Sequence, residues 1–208
     1  MNYPNGIKKE GNIIYKSKIT NYKNRGMNLE QDINDSNAYY IEKKKAFIYK
    51  KPTPIKLVKV DYKKGRIDEA YFEMPSTTDY NGIYKGNYID FEAKETINHN
   101  GFPLRNIHKH QINHIRNIYN ENGICFLIVR FTAINKTYLL MAKDFLEFID
   151  NHKKSTIPLE YFEEKGYIIK DKFIPKVDYL EIIEERMDYN EKSERWKRKN
   201  KERKKSNS

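Results

Sequence analysis

The 208 residues carry 40 Lys and Arg against 29 Asp and Glu, a formal net charge of +11. That length suits one domain able to bury a real core, and the charge favours a polyanionic partner, nucleic acid or an acidic membrane surface, without bearing on fold. The lone Cys125 excludes an internal disulfide, the N-terminus lacks an apolar signal core, and no stretch reaches the roughly 20 apolar residues of a membrane span; the expectation is a soluble, cytoplasmic protein with no membrane association.

In chain order, residues 1–23 are polar and basic without periodicity and read as a flexible arm, either tracking phosphates or simply disordered. Arg25 just beyond is a candidate phosphate contact. Met27 to Lys43 places Met27, Leu29 or Glu30, Ile33, Asn37, Tyr40 and Ile41 at helical spacing. Lys50-Lys51-Pro52-Thr53-Pro54 is a stiff basic connection. Ile55–Tyr62 and Ile67–Met74 are β-rich runs around Lys63, Lys64, Gly65 and Arg66, and a turn so basic predicts a protruding hairpin.

The stretch PSTTDYNGIYKGNYIDFEAKET, Pro75 to Thr96, is a second hairpin, with arms Thr78–Tyr84 and Tyr88–Glu95 joined at Lys85-Gly86-Asn87. Strand alternation puts Ile89, Phe91 and Ala93 on one face and Asp90, Glu92 and Lys94 on the other, with Glu92 and Lys94 roughly 7 Å apart. Asp79 on the facing arm can converge on them. Two carboxylates suit a hard divalent cation, and an adjacent lysine suits negative charge growing on phosphorus or an attacking water. The plainer reading is a solvated strand face with alternating charge.

Further on, Ile97–Asn106 reads as a loop and His108–Asn120 as a helix with an apolar stripe of Ile107, Ile112 (or Gln111), Ile115 and Ile118. His110 and His114 have zinc-helix spacing, but the H-E-x-x-H glutamate is missing and no third ligand follows, so zinc is not expected. His108, Lys109, His110 and Arg116 are candidate phosphate contacts. Gly123–Phe131 and Lys136–Ala142 are core strands, with Cys125 a small core side chain; Lys143–His152, Pro158–Lys165 and Val177–Asp188 read as helices. There is no repeat and no glycine-rich phosphate loop, hence no nucleotide cofactor. After Asn190 nine basic residues stand against three acidic ones, a tail expected to stay disordered until it meets a polyanion.

PSTTDYNG, YIDFEAKET and FPLRNIHKHQ, with NRGMNLEQDINDSNAYY, KKPTPIKLVKVDY and NGICFLIVRF in the same order, resemble RecU-type Holliday junction resolvases of the PD-(D/E)xK nuclease superfamily over about Asn24 to Tyr179. The resemblance implies an α/β fold: a mixed β-sheet flanked by helices, restriction-endonuclease-like, with a β-hairpin stalk over about 57–76 inside a nuclease domain of 24–188, ahead of a basic tail over 189–208. It implies Mg²⁺ (Mn²⁺ substituting) held by Thr77, Asp79, Glu92 and Gln111, with Lys94 stabilising the transition state and the product keeping a 5′-phosphate. Glu30 either turns toward that metal, as an early helix does in the superfamily, or is a surface residue. The stalk would stand near a junction's opening, where Tyr71 and Phe72 either wedge against bases or simply pack. A homodimer follows from the need for two symmetric nicks, and family members also influence the RecA recombinase. Two alternatives share parts of this pattern. A non-catalytic junction- or duplex-binding protein would not need the intact Asp79, Glu92 and Lys94 set, and a superfamily nuclease acting on duplex ends or flaps would not need the stalk.

Overall fold

The computed structural model describes residues 28–72 and 77–187; the N-terminal arm, Arg25 and the basic tail lie outside the described residues. In chain order the elements are α1 (Leu29–Glu42), β1 (Phe47–Lys50), β2 (Ile55–Asp61), β3 (Arg66–Phe72), β4 (Tyr80–Tyr84), β5 (Asn87–Thr96), β6 (Gly101–Pro103), α2 (Lys109–Asn120), β7 (Ile124–Phe131), β8 (Lys136–Met141), α3 (Ala142–Asn151), β9 (Thr156–Pro158), α4 (Leu159–Lys165) and β10 (Tyr167–Ile169). A fifth helix, α5, covers 179–187 of the described residues.

Six strands form one sheet in the order β1-β4-β5-β7-β8-β10. Among the described strands only β5 and β7 run parallel; α2 makes the crossover between them, as a parallel pair requires. This is the mixed sheet flanked by helices that the sequence predicts. On one face α1 and α5 close a core over Ile89, Phe91, Phe126 and Ile128; on the other α2, α3 and α4 cover Cys125, Leu127, Val129 and Leu140. Strand β7 is buried on both faces, which is why ICFLIVRF is nearly unbroken in apolar residues.

Aromatic packing fixes the register that matters. Tyr80 stacks on Phe91 and Phe91 on Phe126, each at 4.8 Å between ring centres, and each such pair adds about 0.5–1.5 kcal/mol beyond its buried area. Tyr80 is thereby held opposite Phe91. The turn between β4 and β5 is tighter than the three residues predicted: Lys85 and Gly86 both take positive φ, 48° and 78°, the backbone of a two-residue hairpin turn. Gly82 is fixed by close approach, since a Cβ there would meet the Phe47 carbonyl oxygen at 2.0 Å.

Among the described residues, strands β2 and β3 pair only with each other. Every residue of β3 is exposed, and Tyr71 and Phe72 keep 59% and 83% of their surface, so neither aromatic is packed away. Besides the four-residue β1, periodicity misses three still shorter strands. The 97–106 segment, expected to be a loop, contains β6 and a 3₁₀ turn at Leu104–Asn106, and β6 pairs with β9, while β10 adds the far edge of the main sheet. At three residues each, these strands show no alternation to read. Among the described residues no helix is long and apolar enough to cross a membrane.

Candidate active site at the end of the central hairpin

Continuing the Tyr80–Phe91 register by one residue places Asp79 opposite Glu92, at the end of β4 where the sheet opens. The backbone N–H of Asp79 donates to Glu92 Oε2 at 3.1 Å. Lys94 Nζ lies 2.5 Å from Glu92 Oε1 and 3.9 Å from Asp79 Oδ2. The three side chains named from the sequence are thus brought together. They differ sharply in exposure: the Glu92 carboxylate is fully buried, whereas Asp79 and Lys94 keep 36% and 27% of their side-chain surface. Burial therefore replaces the plainer expectation of a solvated charged face. Strand β5 is central, with a neighbour on each side, and α2 covers the face that carries Asp90 and Glu92.

Burial, followed by the negative charge of Asp79, pushes the Glu92 carboxyl up to about 7, and the nearby Lys94 opposes this only in part. Holding Glu92 ionised beside Asp79 calls for more positive charge than Lys94 supplies, and that fits a divalent cation between the two carboxylates. Among the described residues no cluster of three or more His, Cys, Asp or Glu side chains is arranged to hold a metal. Two carboxylates are hard oxygen donors, which suit a hard divalent cation that keeps several waters.

Gln111 is buried in the first turn of α2. Its Nε2 donates to Glu92 Oε1 at 2.8 Å, while its Oε1 accepts from the His108 backbone N–H at 3.0 Å. This closes a capping box that starts the helix and braces Glu92 from the helix side. Thr77 stands two residues before Asp79, half-buried, its hydroxyl donating to the Thr78 carbonyl at 3.4 Å. Glu30 is exposed and paired with Lys50 at 2.5 Å. It nonetheless lines, with Asn28, Asp79, Lys94 and Glu95, a cleft of about 190 Å³ leading to the site. Glu95 borders this cleft by accepting from the Leu29 N–H at 2.9 Å, which ties the start of α1 to β5.

Of the residues expected to meet DNA, Lys109 stands two residues before Gln111, at the start of the helix that braces Glu92. Lys63, Lys64 and Arg66 are exposed at the β2–β3 turn and Lys109 is exposed at the start of α2. Arg116 is engaged in a two-pronged pair with Asp150, at 2.7 and 2.9 Å. His110 stacks on His108, and His114 faces Asp90 at 3.2 Å, so the two histidines do not converge on one point. Asp90, Lys51 and Thr78, assigned no role from the sequence, form a hydrogen-bonded group beside Glu92 in which Asp90 and Thr78 are buried and Lys51 is half-buried. The signal for Asp90 was its place on the same strand face as Glu92.

The family model described as Recombination protein U matches residues 24–185. The chain is similar to the Holliday junction resolvase RecU of Oceanobacillus iheyensis, with 49% identity over 193 residues covering 88% of this chain and 98% of that one. It is similar also to that of Pediococcus pentosaceus, at 47% over 192 residues and 88% and 96% coverage. A third such resolvase, from Streptococcus agalactiae serotype Ia, is 45% identical over 199 residues, covering 91% of this chain and all of its own.

Proposed function

The chain belongs to the RecU (Recombination protein U) family, and from that premise we propose that it is a structure-selective endonuclease that resolves Holliday junctions in recombination and repair by metal-dependent, paired nicking. The observation that carries the chemistry is the meeting of Asp79, the buried Glu92 and Lys94 at the open end of one hairpin. Asp79 and Glu92 are the carboxylates that would hold Mg²⁺ or Mn²⁺, with Thr77 and Gln111 beside them; the ion supplies Lewis acidity to a phosphoryl oxygen and to water. Lys94, partly exposed to the cleft, offsets the charge that grows on the phosphoryl oxygens as water attacks. Gln111 keeps Glu92 aimed at the site. The 3′ oxygen departs, leaving a 5′-phosphate. DNA ligase treatment tests this directly: nicks made by the protein should reseal without kinase treatment, and nicks that need a kinase would overturn the assignment.

The stalk supports a junction over a plain duplex. Its tip presents Lys63, Lys64 and Arg66 to backbone phosphates, and the exposed rings of Tyr71 and Phe72 are free to stack on bases unpaired at a branch. Stacking of this kind contributes about 1–3 kcal/mol per base. The Tyr71→Ala/Phe72→Ala double variant is therefore expected to lose about 10-fold or more in junction affinity, with linear duplex binding nearly unchanged. Equal losses on both substrates in a gel-shift titration would remove the stalk from recognition. Two nicks at symmetric positions call for two sites related by a two-fold axis, hence a homodimer.

The tail contributes a separate, sequence-independent affinity in this account. Deleting residues after Asn190 should flatten the dependence of log affinity on log salt while leaving single-turnover cleavage intact. An unchanged slope would show that the tail does not touch DNA.

A further inference from the structure

We infer that Lys51, half-buried, and the buried Asp90 form a strut that helps set the position of Asp79, making both of them positioning residues for cleavage; the inference rests on the nuclease reading above. Asp90 lies on β5 two residues before Glu92, on the same strand face, and is fully buried. Its carboxylate has polar neighbours on both oxygens. The Thr78 hydroxyl donates to Oδ1, while Lys51 Nζ at 2.7 Å and the Tyr88 hydroxyl at 2.9 Å donate to Oδ2, with His114 Nε2 at 3.2 Å. None of the chemistry assigned above uses this group.

Lys51 is the link between this cluster and the site. Its backbone N–H donates to the Asp79 carbonyl at 2.8 Å, carrying the β1–β4 ladder one residue past the Lys50–Tyr80 pair. Its ammonium group meanwhile donates to Asp90 and, at 2.9 Å, to Thr78 Oγ1. One residue therefore grips the main chain at Asp79 and the side chain just before it, and Asp90 anchors both to the strand that carries Glu92. Among the described residues the Asp79 carboxylate has longer contacts: Oδ2 is 3.5 Å from the Ala93 backbone nitrogen and 3.9 Å from Lys94 Nζ. Its aim is set by its backbone, which Glu92 Oε2 holds at the N–H, at 3.1 Å, and the Lys51 end of the strut holds at the carbonyl. An apolar cluster of similar volume can be as stable as a buried ion pair; what directional hydrogen bonds add is a defined position.

The test uses the full-length protein and separates aim from stability. Thr78→Val keeps shape and removes the hydroxyl, Thr78→Ser keeps the hydroxyl, and the Lys51→Met/Asp90→Asn double variant removes both charges so that neither is left buried alone. The readouts are Mn²⁺ binding by titration calorimetry without DNA, the half-saturating Mg²⁺ in single-turnover junction cleavage, junction affinity in EDTA, and the thermal midpoint. Thr78→Val and the double variant are expected to weaken Mn²⁺ binding and raise the half-saturating Mg²⁺ by 10-fold or more. Their junction affinity in EDTA should stay within two-fold of wild type, with Thr78→Ser close to wild type throughout. Variants that bind Mn²⁺ as wild type does, whatever their thermal midpoint, would reduce the cluster to a structural role and overturn the inference. A wild-type protein that neither binds Mn²⁺ nor cuts would instead overturn the nuclease reading on which it rests.

Discussion

Lys94→Ala is expected to slow junction cleavage by about 10²–10³-fold, the size of effect seen when one preorganised charge-stabilising donor is removed. The prediction follows from where Lys94 stands. Its ammonium group is 2.5 Å from a fully buried carboxylate at the mouth of the cleft, partly exposed and so within reach of a phosphate. Asp79→Asn should be at least as damaging, because it removes one of the two carboxylates while keeping the side-chain shape. Neither substitution touches the stalk, so junction affinity measured in EDTA should remain within a few-fold of wild type. Rapid-quench single-turnover rates alongside equilibrium binding would separate the two effects. A Lys94→Ala protein that cuts at the wild-type rate would move the chemistry elsewhere.

The second large effect concerns stability and has an unusual sign. In the folded, metal-free protein burial and Asp79 raise the Glu92 carboxyl from 4.5 to about 7. Between those values the folded chain retains a proton that the unfolded chain has released, so stability falls as pH rises through this window. A rise of that size corresponds to about 3 kcal/mol. Glu92→Gln cannot ionise and keeps nearly the same shape, so in EDTA at pH 8 it should be more stable than wild type by up to that amount, with the gap closing toward pH 4.5. Adding Mg²⁺ at pH 8 should stabilise wild type and not the variant, because an ion that binds only the folded protein shifts the equilibrium toward it. Urea unfolding at several pH values reads this out, and parallel pH profiles for the two proteins would show that Glu92 is not the strained group.

Much of the site was legible in the sequence because a hairpin is local. Alternation along 88–95 and the nearby turn were enough to bring Asp79, Glu92 and Lys94 together, and the basic turn at 63–66 marked the exposed ribbon. What the sequence did not disclose depends on distant packing. Burial of Glu92 and Asp90 requires β7 on one flank of β5 and α2 above it, contacts made by residues 19 to 35 positions later in the chain. The role of Lys51 was hidden for the same reason: in the sequence it belongs to a basic linker, and only the β1–β4 pairing carries it to Asp79. Gln111 was placed at the site by family resemblance. The structure adds what it does there, closing a helix cap with one end of its amide and holding Glu92 with the other.

The most direct measurement is cleavage of a synthetic four-way junction beside a linear duplex of the same arms, in Mg²⁺ and in EDTA. The account predicts paired nicks at symmetric positions on the junction only, lost in EDTA and in the Asp79→Asn protein. Tight junction binding by wild type without metal-dependent cutting would contradict it, leaving a junction-binding protein whose three converging side chains do no chemistry.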